Sequence, residues 1–133
     1  MALQLTVVTP ERRVLETEAD EIELPGVKGY LGILPGHAPL ITLLGTGVLT
    51  VRKGTGSTAL AVSAGLAEVS ADKVSVLADS AQGASEIDAA AAERERTKAE
   101  EEMKSAGADT LDAIRSRFEL AQARLAVARR TRS

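Results

Sequence analysis

The chain changes character near residue 84, and that break limits what it can fold into. All four prolines and ten of the eleven glycines precede it, together with most of the β-branched residues; alanine, glutamate and arginine dominate after it. The first part reads as short strands. Leu3, Leu5 and Val7 alternate along LQLTVV, and Ile22 and Leu24 lead up to a Pro25-Gly26 stop. The segment GVLTVRKGTGSTALAVS reads as two strands about Lys53-Gly54-Thr55-Gly56, and AEVSADKVSVLAD as two about Asp72-Lys73. Strands this closely spaced, with no helical pattern between them, predict an antiparallel β-sandwich or flattened barrel.

The second part predicts a helical hairpin. Ser85 and Asp88 have the spacing of a capping box, the alanine-rich run continues to about Ser105, and Gly107 is placed to stop it. Asp109 is placed to cap the next helix. Along that helix Leu111, Ile114, Phe118, Ala121, Leu125 and Ala128 recur at spacings of three and four, which makes one narrow stripe. Ala92, Ala99, Met103 and Ala106 of the first helix face it, across a link short enough to make the pair antiparallel. The seam is thin, so the hairpin can open or re-dock at modest cost. The expected class is α+β, with a sandwich over residues 1–84 and a hairpin over 85–133.

Charge separates the same two helices. The whole chain carries 16 basic and 19 acidic side chains, a net of -3, and so has no overall attraction to nucleic acid. Residues 109–133 hold six arginines against three acids, which is 6 - 3 = +3. Residues 85–108 hold four basic and seven acidic side chains, which is 4 - 7 = -3. Arg115, Arg117, Arg124, Arg129 and Arg130 can be the solvated face of a helix whose cations favour its own C-terminus. They can equally be a basic surface that seeks an acidic protein partner. With no run of about 18 apolar residues, and a start (MALQLTVVTPERR) that alternates, a soluble chain is expected, reaching a membrane only through a partner.

Catalysis finds little support. One histidine and no cysteine cannot form an ordinary His- or Cys-rich metal site. GTGVLT and KGTGST lack the order of a phosphate loop, and no G-x-G-x-x-G or nucleophile elbow occurs. Tyr30 and Phe118, the only aromatic residues, cannot make a stacking platform. A non-enzyme without a cofactor is expected, with His37 a structural residue in a turn.

That histidine lies in GYLGILPGHAPLITLLGTG, residues 29–47. This stretch resembles the signature of the epsilon subunit of bacterial and plastid F-type ATP synthases, most specifically through LPGHAPL (Leu34–Leu40). VSVLADSA (Val74–Ala81), SEIDAAAA (Ser85–Ala92) and the basic last helix resemble the same family in the same order, over essentially the full length. The resemblance implies a ten-stranded β-sandwich and a helical hairpin on the central rotor stalk of a proton-translocating synthase. The sandwich would bind the gamma subunit and the membrane c-ring. The hairpin would lie folded or extend into the alpha/beta head, where it restrains ATP hydrolysis. The location implied is the cytoplasmic face of the bacterial inner membrane, with no catalytic residue in the subunit itself.

By position, Thr9, His37, Pro39 and Thr42 resemble residues at the gamma contact, and the loop Val27, Lys28, Gly29, Tyr30, Leu31 resembles the tip that faces the c-ring. Arg115, Arg117, Arg124, Arg129 and Arg130 correspond to the inhibitory helix. One departure stands out. Some family members bind regulatory ATP through [I/L]-D-x-x-R-A, which here reads Ile87-Asp88-Ala89-Ala90-Ala91-Ala92. Ala91 replaces the motif's arginine and removes a charge-assisted phosphate ligand, leaving Arg94 as the nearest substitute. The competing reading is a free-standing sandwich that senses a small ligand, with the hairpin as reporter.

Overall fold

The alternation at the start of the chain is a strand with one buried side. Leu3, Leu5 and Val7 have no solvent exposure in the computed structural model, which describes residues 2–130. That strand, β1 (Leu3–Val8), opens a series of ten: β2 (Arg13–Ala19), β3 (Glu21–Gly26), β4 (Gly29–Ile33), β5 (Leu40–Leu44), β6 (Gly47–Lys53), β7 (Gly56–Val62), β8 (Gly65–Val69), β9 (Lys73–Ala78) and β10 (Ala81–Gly83). A single 3-10 turn, Ala84–Glu86, leads to helices α1 (Ala89–Ser105) and α2 (Leu111–Arg130). This is the expected α+β class.

The strands hydrogen-bond in the order β10-β7-β6-β3-β5-β8-β9-β1-β2, with β4 added on β3. The sheet folds over so that β2 approaches β6. Between the layers lie Ile22, Leu24, Ile33, Leu49, Val62, Val74 and Val76, all fully buried, and the core is aliphatic throughout. Every pairing is antiparallel except one. β1 runs parallel to β9, with Leu5 beside Val74 and Val7 beside Val76, a single exception within the expected antiparallel sandwich. A parallel pair needs a long crossover, and here the seven intervening strands supply it.

The two predicted hairpin turns form. Lys53 pairs with Gly56 around Gly54 and Thr55, and Ser70 closes on Lys73 before β9. The Pro25-Gly26 stop does not. β3 runs through both residues to a tight turn at Val27-Lys28, with Gly26 paired to Gly29. Pro25 has no N–H to give, yet its carbonyl accepts from Gly45 N at 2.8 Å.

The helix ends also differ from the reading. Asp88, not Ser85, caps α1, its Oδ1 accepting from Ala91 N at 3.0 Å, while Ser85 belongs to the 3-10 turn. Glu86 fixes that turn to the sandwich: its Oε1 accepts from Gly83 N at 3.1 Å and its Oε2 pairs with Arg12. Gly107 sits beyond the C-cap Ala106, without a left-handed conformation, and begins the next helix instead. Its carbonyl accepts from Leu111 N and Thr110 N at 3.0 and 3.2 Å, so this turn, and no bond from Asp109, starts α2.

α2 lies between α1 and the sheet. Its predicted stripe is there, with Ala121, Leu125 and Ala128 buried, as are Ala92 and Ala99 of α1. A second apolar face accompanies it. Ala123 and Val127 pack on Ala61 of β7, flanked by Val48, Ala59, Ala84 and Ile87. The single narrow stripe is thus half of the helix's contact.

Candidate interaction surfaces

The sandwich has two outer faces, treated differently. α2 covers the one formed by β6 and β7. The other spans β5, β8, β9 and β1 and is bare. There Leu43 pairs with Leu66, Leu66 with Leu77, and Leu77 with Val8, a row of four aliphatic side chains across four strands. Cross-strand partners share a face, so the row is continuous, and Ile41 extends it along β5. Ile41, Leu43 and Leu77 are 64%, 59% and 54% exposed. Isolated exposed leucines are ordinary; an ordered row is the signature of a contact surface.

Beside this row stands the predicted c-ring tip. Only Val27 and Lys28 form the turn, because Gly29, Tyr30 and Leu31 already belong to β4. Gly29 sits at φ +126°, where a glycine is needed. The Tyr30 ring folds back on the sheet and its Oη accepts from Val48 N at 3.0 Å. Gly47 makes the room: a Cβ there would stand 2.6 Å from the Tyr30 Oη and 2.8 Å from the Pro25 Cβ. A groove of about 400 Å³ joins Val27, Lys28 and Tyr30 to Ile41, Thr42 and Leu43.

The four residues expected at the gamma contact do not converge. Thr9 is buried and closes the β1–β2 turn, its N–H donating to Arg12 O at 2.9 Å. His37 lies at the other end of the sheet, in a turn where Gly36 N donates to Ala71 O at 2.6 Å. Gly36 has φ +89°, and His37 Nδ1 donates to the carbonyl of Ala38 at 2.7 Å. Thr9 is five residues along β1 from Gln4, whose N–H bonds Asp72 O in the same β8–β9 turn, which places the two ends roughly 16 Å apart. Pro39 is exposed beside His37, and Thr42 is half-buried between Ile41 and Leu43, whose side chains point outward.

The basic residues of α2 are largely occupied. Arg115 stands 3.7 Å from Asp112 of its own helix, and Arg129 stands 3.7 Å from Glu93 of α1. Arg117 Nε donates to Glu95 Oε1 at 2.9 Å, and its Nη2 lies 2.8 Å from Glu102 Oε2, close but poorly aligned for a hydrogen bond. Those carboxylates, Glu95 before Glu102, raise the Arg117 pKa above its ordinary value and so hold its charge. Arg130 Nη1 donates to Thr50 Oγ1 at 2.9 Å. Arg132 lies outside the described residues.

Arg124 lines a hinge cleft of about 420 Å³ with Ile87, Asp88, Ala91, Glu95 and Arg117, and its Nε is buried without a hydrogen-bond partner. The degenerate motif and two arginines therefore meet in space. Arg94 is exposed and does not line the cleft. The sequence reading missed the bare row and the second face of α2; the alternation in β8 and β9 held the first signal, whereas two small residues gave almost none of the second.

The structure is thus a sandwich with one apolar outer face exposed and a charged helical hairpin on the other. Residues 2–84 match the family described as ATP synthase, Delta/Epsilon chain, beta-sandwich domain, and the chain belongs to that family. It is 49% identical over 75 residues to the ATP synthase epsilon chain of Synechococcus sp. (strain RCC307), spanning 56% of each chain. It is 48% identical over 73 residues to that of Rhodobacter capsulatus, spanning 55% of each. The match thus spans little more than half the length of these curated relatives. The fold is similar to a chain in the cryo-EM structure of Euglena gracilis mitochondrial ATP synthase, OSCP/F1/c-ring in rotational state 1, with a TM-score of 0.81 at 22% identity, over 96% of this chain and 81% of that one. A chain in the Tetrahymena thermophila mitochondrial ATP synthase central stalk/c-ring structure gives 0.54 at 15% identity, over 65% and 69%.

Proposed function

We propose that the chain is a non-catalytic rotor subunit of a proton-translocating F-type ATP synthase, joining the gamma subunit to the c-ring and restraining ATP hydrolysis through α2. The bare apolar row on β5, β8, β9 and β1 carries this reading, because a surface of that kind asks for a protein cover. On this reading gamma covers Ile41, Leu43 and Leu77, and Thr9, His37, Pro39 and Thr42 mark the margins of the contact rather than its centre. Val27 and Lys28 meet the c-ring. α2 leaves the sheet to reach the alpha and beta subunits. The subunit holds to the cytoplasmic face of the bacterial inner membrane through the complex alone, and nucleic acid is no partner.

The hinge cleft favours one second reading, a free-standing sensor with the hairpin as reporter. Co-purification separates the two. The tagged chain should bring down alpha, beta and gamma subunits, and the pair Ile41→Asp and Leu43→Asp should abolish this while leaving the isolated chain folded. Recovery of the chain alone from an intact synthase background would sink the rotor reading.

A further inference from the structure

The folded hairpin presents α2's arginines to carboxylates of the same molecule. Glu95 and Glu102 are seven residues apart, two turns of α1, and so project from one side about 10 Å apart along the axis. Arg117 sits between them and touches both, and Glu93, on the same helix, faces Arg129. Of the other cations of α1, Arg96 pairs with Glu93 on its own helix, Lys104 turns to Glu101, three residues back, and Arg94 faces solvent, so Glu95 and Glu102 are the acids left to Arg117.

We infer that α1 is an internal competitor for the acidic protein surface that α2 would engage: Glu95 and Glu102 hold Arg117 in the docked hairpin, and α2 can offer that guanidinium elsewhere only by leaving them. The side chains of Arg117, Glu95 and Glu102 are 42%, 38% and 37% exposed, so water and salt reach the clamp. Such a clamp is weak enough to exchange. An ion pair inside the hairpin is traded for one across subunits, with little net change in the number of paired charges, so small shifts in either partner move the balance. Glu95 makes the aligned bond, and it contributes more than Glu102.

The role of the acidic partner rests on the rotor reading, but the clamp itself is testable in the isolated chain. The protein has no cysteine, so spin labels at Lys98→Cys in α1 and Gln122→Cys in α2 report the interhelix distance directly. Glu95→Gln with Glu102→Gln should raise the open-to-closed ratio about three- to tenfold, and salt should open the parent but not this variant. The swap Glu95→Lys, Glu102→Lys, Arg117→Glu should restore closure. An unchanged distance distribution in the glutamine variant, or failure of the swap to close, overturns the clamp. In the assembled synthase the glutamine variant should lower the ATPase rate, because α2 is released toward its partner. If it opens yet leaves that rate at the parent level, the competition is overturned. A preparation lacking residues 109–133 serves as control: should it hydrolyse ATP no faster than the parent, the fault lies with the rotor reading instead.

Discussion

Arg130 Nη1 donates to Thr50 Oγ1 at 2.9 Å, fastening the last described turn of α2 to the middle of β6. Thr50 is 1% exposed and lies on the strand face it shares with Val48, which flanks Ala123 and Val127. An arginine expected to reach outward therefore also helps to hold its helix in place. Thr50→Val keeps the shape and removes the acceptor, which should cost docking about 1 kcal/mol. Hydrogen exchange at α2 amides should then accelerate by about fivefold, with the sandwich strands unaffected. Unchanged protection along α2 would mean that the bond contributes nothing to docking.

A fragment of residues 1–84 should fold alone. The main core cluster closes within the strands, from Leu3 to Ala81, and α2 covers only small side chains such as Ala59 and Ala61 on the far face. Circular dichroism should show a cooperative melt with strand content retained. A flat melt, or a spectrum of random coil, would show that the hairpin is part of the same folding unit.

How much of this was legible depends on where the information lies. Leu3, Leu5 and Val7 announce their face by alternation alone, because the burial is local to one strand. The parallel partnership of β1 with β9 is long-range, and alternation reads the same in either direction. Ala123 and Val127 lie one turn apart beside the stronger stripe through Leu125, and their target is marked only by Ala61 and its small neighbours, so periodicity passes over them. Tyr30 shows a third limit. The reach of its hydroxyl to Val48 N, from a ring that stays exposed, depends on the missing side chain of Gly47, and a gap has no pattern. The apolar row from Leu43 to Val8 needs the register of four strands before its members meet.

The hinge cleft should bind ATP weakly. Asp88 already accepts from Ala91 N as the cap of α1, and Ala91 lines the cleft where the family motif has its arginine. Isothermal titration of the full chain should show no binding tighter than about 1 mM, near -4 kcal/mol. Ala91→Arg should tighten it, since Arg117 and Arg124 already line the same space. Micromolar affinity in the parent would refute the argument from the missing guanidinium.

The arginines of α2 should not be equivalent in regulation. Arg117 is paired in the docked hairpin, so Arg117→Ala weakens both the resting state and any engagement with an acidic partner, and the two effects partly cancel. Arg124 has no ion pair among the described residues, and its Nε lacks a hydrogen-bond partner. Arg124→Ala therefore removes a contact available chiefly to the extended helix. In the assembled synthase it should raise the ATPase rate more than Arg117→Ala does, by up to about tenfold at low salt, where an interface pair is least screened. High salt should narrow the gap between each variant and the parent. Deleting residues 109–133 should release at least as much activity as Arg124→Ala. If that deletion accelerates hydrolysis while Arg124→Ala leaves it unchanged, the restraint runs through the apolar faces at Leu125 and Val127, and charge only tunes how readily they come free.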